Sequence, residues 1–210
     1  MLFDHVSVGG GVIGFNTTKT IIDKIISNKK ITKKILNFAI IDKNINNIIG
    51  GIAYNPELSS YGYFNNPIRL SPISFVKYIK NNKNFKKQLI LHLNSNGGLV
   101  DKIWKNKSLK NISKNKFKQF DELYLPRASY GIWQKHRLIE LLENVKKFNI
   151  KNKKYISINI FFIETEIKKI DFNKTKFLKI IPSKIVNLYD VKYYRNSSKI
   201  IFNNNSKKIN

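Results

Sequence analysis

The chain has 210 residues and a formal net charge of +26, with 39 lysines and arginines against 13 acidic residues. It contains no cysteine, which excludes disulfides, thiolate metal sites and a redox-active dithiol, so any electron chemistry must come from a bound cofactor. The length suits a single domain spanning 1–210, and no apolar run reaches the ~18 residues of a membrane span, nor does the N-terminus carry a secretory pattern, so the cytoplasm is the expected location.

A charge of this size ordinarily points to nucleic acid or an anionic membrane surface. Here nearly all of it is lysine, the arginines being Arg69, Arg127, Arg137 and Arg195, and the lysines are interleaved throughout with asparagine and isoleucine. That mixture reads as a codon pool enriched in Lys, Asn and Ile together. A selected nucleic-acid face tends to gather Arg and Lys on one element.

Taken in chain order, the first signal is Phe3-Asp4-His5-Val6-Ser7-Val8 running into Gly9-Gly10-Gly11-Val12-Ile13-Gly14. Val6 and Val8 alternate as a strand. Gly9, Gly11 and Gly14 fit the G-x-G-x-x-G spacing, whose glycines serve a tight turn, close backbone approach to a pyrophosphate and close helix–strand packing. Three glycines at this spacing also occur in turns that bind nothing, so the flanks matter. Ile13, Thr17, Ile21, Ile25 and Ile26 recur at helical spacing, and the helix they form would aim free N–H groups at phosphates.

A second apolar run, 35–41, ends in Asp42, where an acidic side chain accepts hydrogen bonds from ribose hydroxyls and completes a βαβ dinucleotide unit. The helix end and loop at 27–34 absorb a spacing somewhat above the usual ~20 residues. Asp42 disfavours a 2′-phosphate, while Lys43 beside it keeps that option open. Gly50-Gly51-Ile52-Ala53-Tyr54 follows the second strand, compatible both with a second wall of the site and with a flexible connector.

Ser71 or Ser74 is expected to cap a helix over 73–79 whose Phe75, Val76 and Ile79 share one side. An Asn- and Lys-rich insertion is expected over 80–118. The pattern predicts a helix from Ile132 to about Phe148, with Ile132, Ile139, Leu142 and Val145 on one stripe. Ile156–Ile160, Ile163–Ile167 and Phe177–Ile181 alternate as strands, predicting a small antiparallel meander over 156–202 and then a polar tail, 203–210.

His5, His92 and His136 are dispersed, without metal-ligand spacing, so no metal site is expected, and no catalytic residue is identified. Glu140, Glu143, Glu164 and Glu166 are spaced as exposed positions, and Ser129 lies outside any G-x-S-x-G elbow.

The ordered set Gly9 to Gly14, Asp42, Gly51-Ile52-Ala53-Tyr54, Asn66-Pro67, Phe75, Tyr78, Pro126-Arg127 and Tyr130-Gly131 resembles the FAD/NAD(P)-binding flavoproteins related to the flavin-dependent N-hydroxylating monooxygenases. The resemblance covers roughly 3–170. It implies an α/β fold with a Rossmann-like parallel sheet, and FAD along the first βαβ unit, its pyrophosphate on Gly9, Gly10, Gly11, Val12, Ile13 and Gly14 and its adenosine ribose on Asp42. Gly51, Tyr54 and Asn66 would then fall on the flavin side, with Arg127 near the cofactor. Family members add a strand ending in an Ala-Thr-Gly-like turn and a second nucleotide unit for NAD(P)H; neither pattern is found within 1–210, so the catalytic half is absent, lost, or supplied by a partner chain. The readings held against an FAD-dependent oxidoreductase, or the FAD-binding portion of one, are an NAD(P)-binding protein without flavin and a nonenzymatic basic nucleic-acid binder.

Overall fold

The computed structural model describes residues 3–28, 35–44, 47–48, 50–54, 64–82, 84–85, 87, 124–152, 156–172, 178–182, 187–192 and 201–203, the backbone alone beyond Ile167. The chain divides into two compact units, Met1–Gly51 with Arg137–Asn210, and Ile52–His136. The predicted insertion lies mostly outside the described residues, as does most of the polar tail.

In the first unit the elements are β1 (His5–Val8), α1 (Val12–Ser27), β2 (Ile35–Asp42), β3 (Ser157–Glu164), β4 (Ile167–Phe172), β5 (Leu178–Pro182), β6 (Asn187–Lys192) and β7 (Ile201–Asn203). Its main sheet runs β1-β2-β3-β6-β7, and β4 and β5 form a separate antiparallel pair. The first three strands are parallel, with His5 opposite Phe38 and Phe38 opposite Ile160, whereas β6 and β7 join antiparallel. The fold is therefore α/β.

β2 shows why a parallel strand reads as a continuous apolar run: it is buried on both faces. Leu36, Phe38 and Ile40 face a core completed by Phe15 and Ile22 of α1 and by Ile158 and Phe162 of β3. Ala39 and Ile41 face the other way, with Ile163 and the half-buried Phe3, Val6, Phe161 and Ile167. Each fully buried Phe or Ile contributes roughly 1.5–3 kcal/mol. Asn37 and Asn159, opposite one another in register, join their side chains at 3.0 Å and so extend the β2–β3 ladder with a polar rung.

The expected meander over 156–202 is corrected here. Ser157–Glu164 is one eight-residue strand parallel to β2 along its whole length, and its antiparallel partner is β6, not the next strand β4, which pairs with β5. Burial of Ile158, Phe162 and Ile163 on both faces makes it a central strand; the alternation at 156–160 showed only one of them. Asn149 fixes where the strand starts, its carboxamide accepting from Ile158 N and donating to Ile158 O, both at 2.8 Å.

The second unit carries α2 (Gly51–Tyr54) from its second residue onward, a 3-10 turn (Ile68–Leu70), α3 (Ile73–Asn81) and the beginning of α4 (Ala128–Lys151). Ile68, Phe75, Ile79, Phe85, Leu125 and Trp133 form its core. The ring centroids of Phe75 lie 5.1 Å from Tyr130 and 5.2 Å from Trp133, within the range of favourable edge and tilted aromatic packing. Pro72, not Ser71 or Ser74, occupies the cap position of α3, with Val76 N donating to Pro72 O at 3.1 Å and no side-chain cap. Proline at a helix entry sacrifices no needed donor.

The helix expected from Ile132 starts earlier, at Ala128. Pro126 O accepts both Ser129 N at 2.9 Å and Ser129 Oγ at 2.6 Å, which closes the first turn ahead of the apolar stripe. Residues 137–151 of α4 belong to the first unit, where Leu138, Leu141 and Val145 enter the core beside α1. Lys19 is buried there, paired with Asp23 at 2.6 Å and 3.9 Å from Glu140. Arg137 donates to Asn16 Oδ1 and lies 6.0 Å over the Phe15 ring.

Candidate functional site

The site grows out of the carboxyl ends of β1 and β2, where open α/β sheets bind ligands. After Val8 the chain turns at Gly9, whose φ of +92° is a conformation that L side chains rarely adopt. Gly9 N donates to Ile41 O at 2.7 Å, carrying the β1–β2 pairing one residue into the turn. Gly11 is the cap residue of α1, and no side chain caps the helix. Its first turn holds no acidic residue, so the helix itself supplies no charge to offset the positive end of its 16 residues.

Gly14 is where helix and turn are tightest. A Cβ there would overlap the Gly9 carbonyl oxygen, with Gly9 C at 3.2 Å and Ser7 Cβ at 3.5 Å. At Gly11 the geometry is different: a Cβ would meet Gly51 alone, at 3.7 Å from its Cα and 3.8 Å from its N, which is ordinary contact. Gly51, itself at φ +59°, thus stands backbone to backbone against Gly11. A Cβ at Gly10 would run into Ile48, at 2.5 Å from Cγ1 and 3.2 Å from Cα. The two glycine stretches, 9–14 and 50–51, therefore close on one another. Val12 is half-buried, and Ile13, beside them, is 83% exposed.

Asp42 ties β2 to the turn. Its Oδ2 accepts Gly10 N at 2.7 Å, and its Oδ1 accepts Asn44 N at 3.0 Å and Asn47 Nδ2 at 3.4 Å. Thr165 N, just past β3, donates to the Asp42 carbonyl at 2.9 Å. Lys43 is exposed next to it.

Beneath the turn lies a chain of hydroxyls between strand and helix. His5 Nε2 and Ser7 Oγ are 2.9 Å apart, Ser7 Oγ and Thr18 Oγ1 are 2.9 Å apart, and both hydroxyls reach Gly14 O, at 3.2 and 3.0 Å. Ser7 and Thr18 are buried. With one proton per hydroxyl, a continuous order is His5 N–H to Ser7, Ser7 to Thr18, and Thr18 to Gly14 O. Burial lowers the His5 pKa from its ordinary 6.5.

Of the sequence-predicted site residues, Gly9 to Gly14, Asp42, Lys43 and Gly51 come together in the first unit. Tyr54, Asn66 and Arg127 belong to the second unit. There the Tyr54 ring lies 5.1 Å from Tyr130 and 6.0 Å from Phe64, Asn66 is exposed ahead of the buried Pro67, and Arg127 Nη2 donates to Asn65 Oδ1 at 3.3 Å. Asn44, Asn47 and Ile48 carry no signal in the sequence, since 43–49 looks like the Asn- and Ile-rich background. Ser7 and Thr18 escape the sequence patterns, since the alternation of Val6 and Val8 puts Ser7 on the opposite face and Thr18 lies off the spacing of Ile13, Thr17, Ile21 and Ile25, yet both are buried.

Comparison with protein-family models, curated proteins and solved structures finds no match to this chain. Among the described residues no three His, Cys, Asp or Glu side chains are grouped to hold a metal ion, and no helix is long and apolar enough to cross a membrane.

Proposed function

We infer that this chain binds an adenine dinucleotide, FAD, and is an oxidoreductase or the FAD-binding portion of one. The observation that carries this is the joining of Asp42, at the end of β2, to the glycine turn through Gly10 N at 2.7 Å. An acidic residue held there stands beside an uncapped helix start, which pairs a ribose acceptor with an anion-binding end in one βαβ unit.

The residues present fit such a cofactor. A Cβ at Gly9 would meet nothing within 4 Å, so the outer side of the turn is open to an approaching group. The N–H groups of Gly9 and Gly10 are bonded to Ile41 O and Asp42 Oδ2, so the pyrophosphate would be held at the helix end from Gly11 onward, and the ribose by Asp42. A bound flavin supplies the electron transfer, so the scarcity of acids and bases in the chain is no obstacle. A cytoplasmic location and a partner chain bringing the NAD(P)H-binding half belong to the same proposal.

The test is the absorbance of the purified protein, followed by a fluorescence titration of the apoprotein with FAD. A yellow protein, or saturable quenching at one flavin per chain, supports the assignment. NAD(P)H binding without flavin binding would replace it with the non-flavin dinucleotide protein.

A further inference from the structure

The main sheet has β1 at its end. The strand order is β1-β2-β3-β6-β7, and among the described residues β1 pairs on one side only, with β2. Burial agrees with an open edge: β2 is buried along most of its length, whereas His5 and Val6 of β1 are half-buried and Val8 is 50% exposed. Gly9 N bonds to Ile41 O in register with the Val8–Ile41 pair, so His5 and Ser7 turn their backbone groups toward β2. Val6 and Val8 turn theirs outward, each presenting an N–H and a C=O at the edge.

Edge strands are ordinarily guarded against pairing by lysine, proline or a bulge. β1 has none of these: its register to β2 is continuous, and residues 3–11 hold no lysine, arginine or proline in a chain with 39 lysines and arginines. The charge at this edge also selects what can cover it. Asp4 and His5 are the titratable side chains in that stretch, so an acidic strand would find no lysine or arginine to meet, and a lysine-bearing strand would set its ammonium beside valines. The edge fits an uncharged, β-branched strand, and β1 is itself one.

We propose that the free edge of β1 is a self-association surface, on which a second copy of the chain lays its own β1 antiparallel across a two-fold axis. With Ser7 on the axis, Val6 stands opposite the second copy's Val8 and exchanges both N–H and C=O bonds with it, and the reverse pair does the same. Asp4 then falls opposite the second copy's Gly10, so no like charges meet at the edge. A surface built on one short strand is small, and the dimer is accordingly weak, in the range of about 0.01–1 mM. Lysines elsewhere in the two copies repel, and since salt screens exposed charges, added salt strengthens the association. The association is independent of cofactor binding and needs no nucleotide in its test.

The experiment is sedimentation velocity on wild type, Val8→Lys and Val8→Thr from about 10 μM to about 1 mM in low and high salt, with amide exchange of Val6 and Val8 read by NMR at both ends of the series. Val8 is half exposed, so both variants melt within about 2 °C of wild type when dilute. Wild type and V8T form dimers whose share rises with salt, while V8K, with an ammonium on the edge, dimerises at least about tenfold more weakly. The Val6 and Val8 amides of wild type exchange more slowly in the concentrated sample. Wild type that stays monomeric to about 1 mM in high salt overturns the proposal and leaves the edge to a strand of another protein. A dimer that V8K leaves intact, or one in which those amides exchange alike at both concentrations, overturns it too. Should V8K fail to fold, the amide exchange of wild type decides alone.

Discussion

Gly14→Ala puts a methyl where the Gly9 carbonyl oxygen already is, within 3.2 Å of the carbonyl carbon and 3.5 Å of Ser7 Cβ. Neither neighbour yields easily. Gly9 is anchored by its 2.7 Å bond to Ile41 O, and Ser7 is buried in the hydroxyl chain under the helix. Helix α1 must therefore move off β1, and overpacking of this kind costs about 1–3 kcal/mol. For a chain of this length one kcal/mol corresponds to about 2–4 °C, so the apoprotein should melt about 2–12 °C lower. Gly11→Ala is the control, because its methyl reaches only ordinary contact with Gly51 and the cap position is already at φ −65°. It should melt within about a degree of wild type, a change of a few tenths of a kcal/mol, while weakening FAD binding by adding bulk between the two glycines. The assay is a thermal melt of each apoprotein beside a flavin titration. A Gly14→Ala protein that melts with wild type, or two variants that cannot be told apart, would refute the packing argument.

Asp42→Ala removes the acceptor for Gly10 N and Asn44 N as well as the proposed ribose contact, so it should lower apoprotein stability by about 1–3 kcal/mol and FAD affinity by about tenfold or more, read by melts and titration. Flavin retention equal to wild type would remove the ribose assignment. Burial depresses the His5 pKa below 6.5, so the unfolded chain binds the extra proton first: this contribution to stability is whole above about pH 6.5 and is lost as the pH falls toward the folded value. His5→Gln should flatten the melting temperature against pH in that acid window, and an unchanged slope would assign the dependence elsewhere. The +26 charge should give only weak, sequence-indifferent binding to duplex DNA that modest salt abolishes; selective binding at physiological salt would favour the nucleic-acid reading instead.

The βαβ start of the fold was legible because its signals are redundant: alternation into a glycine cluster, helical spacing after it, and an acidic residue closing a run buried on both faces. β3 was not, since local alternation at 156–160 does not reveal whether the partner strand is an adjacent hairpin or β2, more than a hundred residues earlier. Its parallel pairing is decided by tertiary burial of Phe162 and Ile163. In the site, glycine geometry could be anticipated at Gly14, where packing is tight, while Gly11 turned out to face Gly51. Asn47 stayed invisible because one asparagine in an Asn-rich stretch carries no contrast; only its burial and its bond to Asp42 distinguish it.

The closing of the two glycine stretches on one another, Gly10 against Ile48 and Gly11 against Gly51, bears on how this sequence has drifted. Lysine has spread almost everywhere in the chain, yet residues 1–18 and 44–68 hold neither lysine nor arginine. Seven of the ten glycines, Gly9, Gly10, Gly11, Gly14, Gly50, Gly51 and Gly62, fall inside those two windows. A compositional pressure that replaces whatever can be replaced acts as a mutational scan recorded in a single sequence. What it has spared includes the pair of backbones that meet at the end of the sheet, Gly11 against Gly51.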